Sequence, residues 1–341
     1  MQTLRGLKIL AQGDLVLVTG ATGFVGAAVA RALRDAGFTV RVTARAGSNT
    51  RNLAELGAEI VPLDLSEPGG FAPALAGCRY LFHVAADYRL WVPDVAAMRH
   101  VNIEGTVALL RAAAAAGVER SVYTSSVAAL GLTADGSPAT EATPVKPAHH
   151  VGAYKKSKFD AEQTVRSLAK SGQNIVIVNP STPVGPGDVK PTPTGRMILD
   201  AARGKMPAYV DTGLNIVHVD DVAQGHLLAL EKGVSGKAYI LGGENMMLHE
   251  LLALIAAETG RRAPSIHLPI TPLIPIAWVM ERIAEITGKT PLMTPDVLAM
   301  ARKRMFFSSA KAKRELGYAP RPAALAVHDA LAWFRKEGML A

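Results

Sequence analysis

Two hydrophobic periods alternate along the chain. Leu15-Val16-Leu17-Val18 is a continuous apolar run of strand length, as expected of a strand buried on both faces. A glycine-rich turn follows, and Phe24 to Ala36 then carries apolar residues at helical spacing until Gly37 stops it. Short runs rich in β-branched and aromatic residues recur at Thr39–Thr43, Glu59–Leu63, Tyr80–Val84, Ser121–Thr124 and Ile175–Val178. Helical stretches separate them, among them the alanine-rich Val107–Ala116 and the segment Ala153–Ser171. Strands alternating with helices predict βαβ units, hence an α/β fold with a doubly wound parallel sheet.

After Asn179 the texture changes. Pro180, Pro183, Pro186, Pro191 and Pro193, with Gly185, Gly187 and Gly195, predict a long ordered loop, and such loops inside a compact fold are usually functional. Val217–Val219, a helix from Asp220 and Tyr239–Leu241 predict a return to the first domain. The remainder from Asn245 reads as helices separated by proline turns. We therefore expect a dinucleotide-binding domain over 1–180 and 216–244, and a smaller, mainly helical substrate domain over 181–215 and 245–341.

The turn Gly20-Ala-Thr-Gly23-Phe-Val-Gly26 lies between a predicted strand and a predicted helix. Gly20 permits the tight turn, Gly23 lets the backbone approach a pyrophosphate, and Gly26 allows close packing. The helix start then offers free N–H groups to phosphates. Thr22, Phe24 and Val25 belong to the same cofactor site. This context makes the fold Rossmann-type. The second strand ends Arg41-Val42-Thr43-Ala44-Arg45, without the Asp or Glu that would accept hydrogen bonds from the ribose of NAD. Arg45 stands where a cation can pair with a 2′-phosphate, with Ser48, Asn49 and Arg51 in support, so NADP(H) is preferred and NAD(H) is the alternative. Asp64 and Leu65 after the third strand can hold the adenine edge. Val84, Ala85 and Ala86 end the fourth, where small side chains admit a cofactor.

Tyr154-Lys-Lys-Ser-Lys158 opens a helix, so Tyr154 and Lys158 at i, i+4 share one face. Hydride transfer to a carbonyl needs a proton donor at the oxygen, and the reverse reaction needs a base. A free tyrosine ionises near pH ~10. An ammonium group one turn away favours the phenolate, as does oxidised nicotinamide. Ser126 ends Tyr123-Thr124-Ser125-Ser126 at the carboxyl edge of the predicted sheet, where it can donate to a substrate oxygen, and Thr124 adjoins the cofactor. Ser125 competes with Ser126 for that role. Asn102 can hold a water or a backbone carbonyl in a proton relay. A hydrolase would use Ser126 differently, but no GxSxG elbow is present.

Composition narrows the classes further. Half of the 341 residues are apolar and aromatics are scarce, so a sizeable aliphatic core is available and disorder is excluded. The 37 basic against 29 acidic residues give +8, spread rather than clustered, with no basic stripe interleaved with aromatics, so nucleic acid is not an expected partner. The lone Cys78 excludes an internal disulfide and suits a reducing cytoplasm. Nine histidines, including the adjacent pair His149-His150, show no ligand spacing, so no metal is expected. Arg5 and Lys8 precede no apolar run of signal-peptide length. Ala263 to Met280 is uncharged and approaches spanning length, yet four prolines argue against a transmembrane helix. For Pro269–Ile286 we favour a buried packing helix. The alternative is an apolar mouth or a membrane-touching helix, which would make the protein membrane-peripheral.

Together, TGATGFVG, Asp64-Leu65, His83-Val-Ala-Ala86, Asn102-Ile-Glu-Gly-Thr106, YTSS, YKKSK, the Pro/Gly-rich loop, His218-Val-Asp-Asp-Val222 and the C-terminal Lys311–Tyr318 resemble the extended short-chain dehydrogenase/reductases, the NAD-dependent epimerase/dehydratase family. The likeness covers nearly the whole chain. Segments 83–91, 178–196 and 207–226 look like the hopanoid-associated sugar epimerases, with dihydroflavonol-reductase-like enzymes next nearest. The resemblance implies catalysis by Ser126, Tyr154 and Lys158 with support from Asn102, and a nicotinamide lined by Pro180, Thr182 and Val184. It also implies a homodimer through the Val107–Ala116 and Tyr154–Ser171 helices, and a place in hopanoid side-chain biosynthesis. One departure matters: sugar-nucleotide epimerases usually retain NAD, whereas Arg45 points to NADP.

The function expected is therefore epimerisation of a sugar or polyol group, free or lipid-linked. The alternative is net NADPH-dependent carbonyl reduction of the dihydroflavonol-reductase type. A non-catalytic NADP-binding redox sensor is a third class, disfavoured because Tyr154 and Lys158 are both present. Tyr88, Trp91, Ser125, Arg196 and Tyr209 are the substrate candidates, with Tyr88 and Trp91 as caps over a ring.

Overall fold

The computed structural model describes residues 13–340 except 90, 93, 147–151, 289–290 and 292, so Arg5, Lys8 and His149-His150 lie outside the described residues. Among the described residues the strands are β1 (Leu15–Thr19), β2 (Thr39–Ala44), β3 (Glu59–Pro62), β4 (Tyr80–His83), β5 (Arg120–Thr124), β6 (Ile175–Pro180), β7 (Thr182–Val184), β8 (Ala208–Tyr209), β9 (Gly213–His218), β10 (Ala238–Leu241), β11 (Glu244–Met247) and β12 (Ile266–His267). The helices are α1 (Phe24–Asp35), α2 (Phe71–Leu75), α3 (Val95–Arg99), α4 (Thr106–Ala115), α5 (Ala153–Lys170), α6 (Pro193–Ala202), α7 (Val219–Lys232), α8 (Leu248–Thr259), α9 (Leu273–Thr287), α10 (Pro295–Ala301), α11 (Ala310–Leu316) and α12 (Ala323–Lys336).

The main sheet has the order β3-β2-β1-β4-β5-β6-β10, and every neighbouring pair is parallel. Alternate side chains of one strand feed opposite cores, as the two-residue strand period requires. Val16 and Val18 pack beneath α1 and α7, whereas Leu17 packs beneath α2, α4 and α5. That double covering explains why β1 reads as an unbroken apolar run. The strand order reverses between β1 and β4, which opens the ligand crevice beyond their carboxyl ends.

Three expectations change. The loop after Asn179 contains β7 and α6, because Thr192 caps α6 through Gly195 N–H at 3.1 Å and Pro193 is preset for a first helical turn. Val217 does not return to the main sheet: β9 lies between β7 and β11 in a separate three-stranded sheet, while α7 and β10 do return. Helix α9 is not a buried packing helix, since only Ala277 and Ala284 are buried among its residues. A third core joins α6, α8 and α12 over this smaller sheet. No helix among the described residues is long and apolar enough to cross a membrane.

Candidate active site

The glycine turn is shaped by contact. Gly20 has φ +75°, and a Cβ there would lie 2.7 Å from Ala85 Cα. A Cβ on Gly26 would lie 2.2 Å from the Gly20 carbonyl oxygen, so the helix packs against the turn itself rather than against the strand. Gly23 caps α1 without a side-chain hydrogen bond, and no acidic residue sits in the first turn. The free N–H groups and positive end of α1 are thus left for an anion. The Thr22 carbonyl accepts from Asn52 Nδ2 at 3.3 Å. Phe24 and Leu65 are buried in the two cores and Val25 packs on one of them, so their side chains serve the fold and only their backbone is offered to a ligand.

Farther along the crevice, Arg45, Ser48, Pro62, Leu63 and Asp64 line an open cavity of about 470 Å³. That size suits a small-ligand site, whose range is roughly 300–1,000 Å³. Arg45 is exposed at its edge. Hydrogen bonds from the Ser66 hydroxyl and backbone hold the Asp64 carboxyl below its ordinary value, and Arg45 adds to this. Arg51 is drawn to Glu337 instead. Val84, Ala85 and Ala86 line the approach from β4. Thr19 Oγ1 accepts from the backbone N–H groups of Val84 and Ala85, both at 3.2 Å, and lies 2.8 Å from His83 Nδ1. Its hydroxyl therefore donates to Nδ1, and the Nε2 proton is directed to Thr106 Oγ1 at 2.9 Å. Burial first, and Lys158 second, push His83 down to about 3, so it is a neutral strut between β1 and the first turn of α4.

The three polar residues of the Ser-Tyr-Lys set converge at the ends of β5 and α5. Ser126 Oγ accepts from Ala128 N–H at 3.1 Å, which leaves its proton for Tyr154. Burial raises the Tyr154 phenol above its ordinary value, and the Ser126 hydrogen bond only partly offsets this. Lys158, one turn along α5 from Tyr154, finds its hydrogen-bond partners on β5. Its Nζ donates to the Thr124 carbonyl at 2.8 Å and to Tyr123 Oη at 3.4 Å, and stands 5.0 Å over the Tyr123 ring. Burial lowers it to about 8, while Glu162 pulls the other way. Its charge is therefore present below about pH 8 and lost above it. Asn102 closes the framework. Its Nδ2 donates to the Asp87 carbonyl at 2.9 Å and to Ser157 Oγ at 3.0 Å, and its Oδ1 accepts from Asp87 N–H at 2.8 Å.

Several polar groups escaped the sequence reading. Asn179 Nδ2 donates to the Ser126 carbonyl at 3.0 Å and to buried Glu162 at 2.7 Å, and Glu162 also holds Arg166 at 2.7 Å. Tyr154, Lys158 and Glu162 at i, i+4, i+8 form one helix face, a spacing that could have found Glu162. Asp188, in the Pro/Gly-rich segment, is buried and accepts from Thr192 N–H and Oγ1, yet burial raises it to about 6.

Of the substrate candidates, half-exposed Tyr88 is brought between Tyr154 and Asp188, close enough to influence both electrostatically. Trp91, three residues along the chain, is half-buried. Arg196 is exposed on α6, and Tyr209 packs between His249 and His267 with ring centroids at 5.9 and 5.8 Å. Pro180 ends β6 and Thr182 opens β7, while the Val184 side chain belongs to the third core. The buried Ser125 Oγ, Asn179 Oδ1 and Ser181 Oγ have no protein partner at these same strand ends. Orphan polar atoms here, with a cradle that a single Cβ would fill, fit a dinucleotide laid across the crevice. No group of metal-ligating side chains occurs among the described residues.

Comparison with known proteins agrees with this geometry. The model of the NAD-dependent epimerase/dehydratase family matches residues 16–242. A putative dihydroflavonol 4-reductase of Synechocystis is 44% identical over 96% of this chain and 97% of its own. The sterol demethylase protein B of Methylococcus capsulatus is 34% identical over 95% and 99%. The crystal structure of gox2253 superposes with a TM-score of 0.87 at 57% identity, covering 96% of this chain and 100% of that one. The chain belongs to the NAD-dependent epimerase/dehydratase family, and is an extended short-chain dehydrogenase/reductase and an NAD(P)-dependent oxidoreductase/epimerase.

Proposed function

We propose that the protein is an NADPH-dependent reductase that converts a ketone to a secondary alcohol on a hydroxylated, lipid-borne substrate. One observation carries the reading: Tyr154 stands beside Ser126 in a crevice whose far end bears Arg45 and no carboxylate on β2. A neutral phenol is the form that gives up a proton, as carbonyl reduction demands. The 44% relative carries a reductase name and the 34% relative a sterol one, which supports both reduction and a polycyclic lipid substrate.

In this reading residues 1–180 and 216–244 hold the cofactor, and 181–215 with 245–341 hold the substrate. The N–H groups at Gly23 and the start of α1 bind the pyrophosphate, and Arg45 with Ser48 takes the 2′-phosphate. NADPH, when bound, supplies the hydride that reaches the carbonyl carbon. Tyr154 passes its phenolic proton to the carbonyl oxygen, and the Ser126 hydroxyl, turning from Tyr154, donates its hydrogen bond to that oxygen as negative charge develops. Lys158, fixed by Thr124 and Tyr123, stabilises the resulting phenolate by its charge. Tyr88 and Trp91 cover the substrate. Asn102 keeps the Asp87 backbone in place beneath them. Two copies pair through α4 and α5, as the family resemblance implies.

Epimerisation in hopanoid side-chain biosynthesis is the second reading, favoured by the resemblance of segments 83–91, 178–196 and 207–226 to the hopanoid-associated sugar epimerases. Stoichiometry separates the two. Incubation with ketone-bearing or hydroxylated hopanoids is expected to consume one NADPH per product, read by absorbance and product mass. Product formed with no net loss of NADPH would establish the epimerase instead.

Cofactor choice is tested independently. Arg45→Ala is expected to weaken NADPH binding roughly tenfold, the worth of one charge-assisted phosphate contact, while NADH binding changes little. Fluorescence titration of both cofactors checks this, and unchanged NADPH affinity would reject Arg45 as the 2′-phosphate ligand.

A further inference from the structure

Helix α9 turns an apolar stripe to solvent. Ile276, Val279, Ile283 and Ile286 recur at i, i+3, i+7 and i+10, one face of a helix, and are 52, 51, 54 and 86% exposed. Trp278, 54% exposed, stands beside the stripe with the Arg282 guanidinium 5.3 Å from its ring centre. On the opposite side, buried Ala277 and Ala284 let α9 lie close to α10. A helix with so broad an exposed apolar face is stable when covered, not when solvated, and a contiguous patch of this kind marks an interaction surface.

Charge indicates what covers it. Residues 261 to 304 hold seven Lys or Arg against three Asp or Glu, half of the chain's net +8 in about an eighth of its length. Of the three acids, Glu285 is bound by Arg282 at 2.6 Å. Glu281 and Asp296 face each other, and Asp296 Oδ2 lies 3.3 Å from where a Cβ on Gly152 would stand. A second copy of the chain would bring the same positive excess against itself, whereas an anionic bilayer surface meets it with the opposite sign.

The stripe also adjoins the candidate site. Exposed Ile266 in β12 pairs with β8, and Leu268 N–H donates to the Tyr209 carbonyl at 2.8 Å. On the other flank, the Asp296 contact places α10 against Gly152, two residues before Tyr154.

We propose that α9, with its flanking basic segments, docks on anionic phospholipid bilayers and so presents the mouth between Tyr209 and Tyr154 to a membrane-borne substrate. The docking stands on this surface alone, and only the delivery of substrate rests on the reductase reading. The test is flotation of the full chain with vesicles of phosphatidylcholine alone and of phosphatidylcholine mixed with phosphatidylglycerol. The protein is expected to float with the mixed vesicles and less with the neutral ones, and high salt is expected to weaken binding. Ile276→Glu and Ile283→Glu together are expected to lower partitioning roughly tenfold or more, with NADPH affinity and melting temperature kept. Failure to float with the mixed vesicles would overturn the proposal, as would equal flotation of the double variant. A dimer that the double variant dissociates would assign the stripe to a second copy. Flotation without NADPH turnover would support docking while sinking the reductase reading.

Discussion

Tyr154→Phe is expected to lower kcat by roughly 10³-fold, within the 10²–10⁴ that a positioned general acid contributes. The ring that packs at the start of α5 is kept, and only Oη is removed, so NADPH affinity and melting temperature are expected to stay at their parent values. The residual rate is expected from Ser126, whose Oγ accepts from Ala128 N–H and so keeps its proton for the substrate oxygen once the phenol is gone. Steady-state rates followed by NADPH absorbance, with a parallel cofactor titration, check the outcome. A variant that keeps more than about a tenth of the parent kcat would show that another group protonates the substrate. Lys158 is a poor candidate for that group, since its Nζ is committed to Thr124 and Tyr123.

Gly26→Ala is expected to have the second large effect, on binding rather than on chemistry. The added Cβ would stand 2.2 Å from the Gly20 carbonyl oxygen and 2.6 Å from its carbon, both backbone atoms that no rotamer can move. Either the turn opens or α1 shifts outward, and both displace the N–H groups that face the pyrophosphate. A shift of this size costs roughly 100-fold in a positioned interaction, and overpacking costs about 1–3 kcal/mol of stability. NADPH titration and thermal melting read the two effects. Gly69→Ala is the control: a Cβ there meets nothing within 4 Å, so neither quantity should move. Unchanged NADPH affinity in the Gly26 variant would mean that the cofactor does not lie on this turn.

Much of the main sheet was legible because its central strands are buried on both faces. Leu15–Val18 and Ile175–Val178 are nearly pure apolar runs, which only a strand of that length between helix layers explains. The glycine turn was legible for a steric reason, since Gly20 and Gly26 stand where a Cβ would strike backbone. The smaller sheet was not legible. Strand β7 is three residues long and contains Pro183, and β9 mixes Asn215 with apolar neighbours, so neither shows a clear period. Their pairing is a long-range event that no local pattern encodes.

The candidate site divides along the same line. Sequence by itself determined which residue types are available and on which element they stand: Tyr154 and Lys158 on one helix face, Ser126 at a strand end, three glycines in one turn. Tertiary structure alone decided what each group touches. It set the Lys158 ammonium on a strand carbonyl, set Asn179 between Ser126 and Glu162, and left α9 uncovered despite its apolar sequence. Local spacing constrains side chains within one turn of helix or two residues of strand. Partners, burial and the shifts in protonation that follow depend on segments that meet only when the chain has folded.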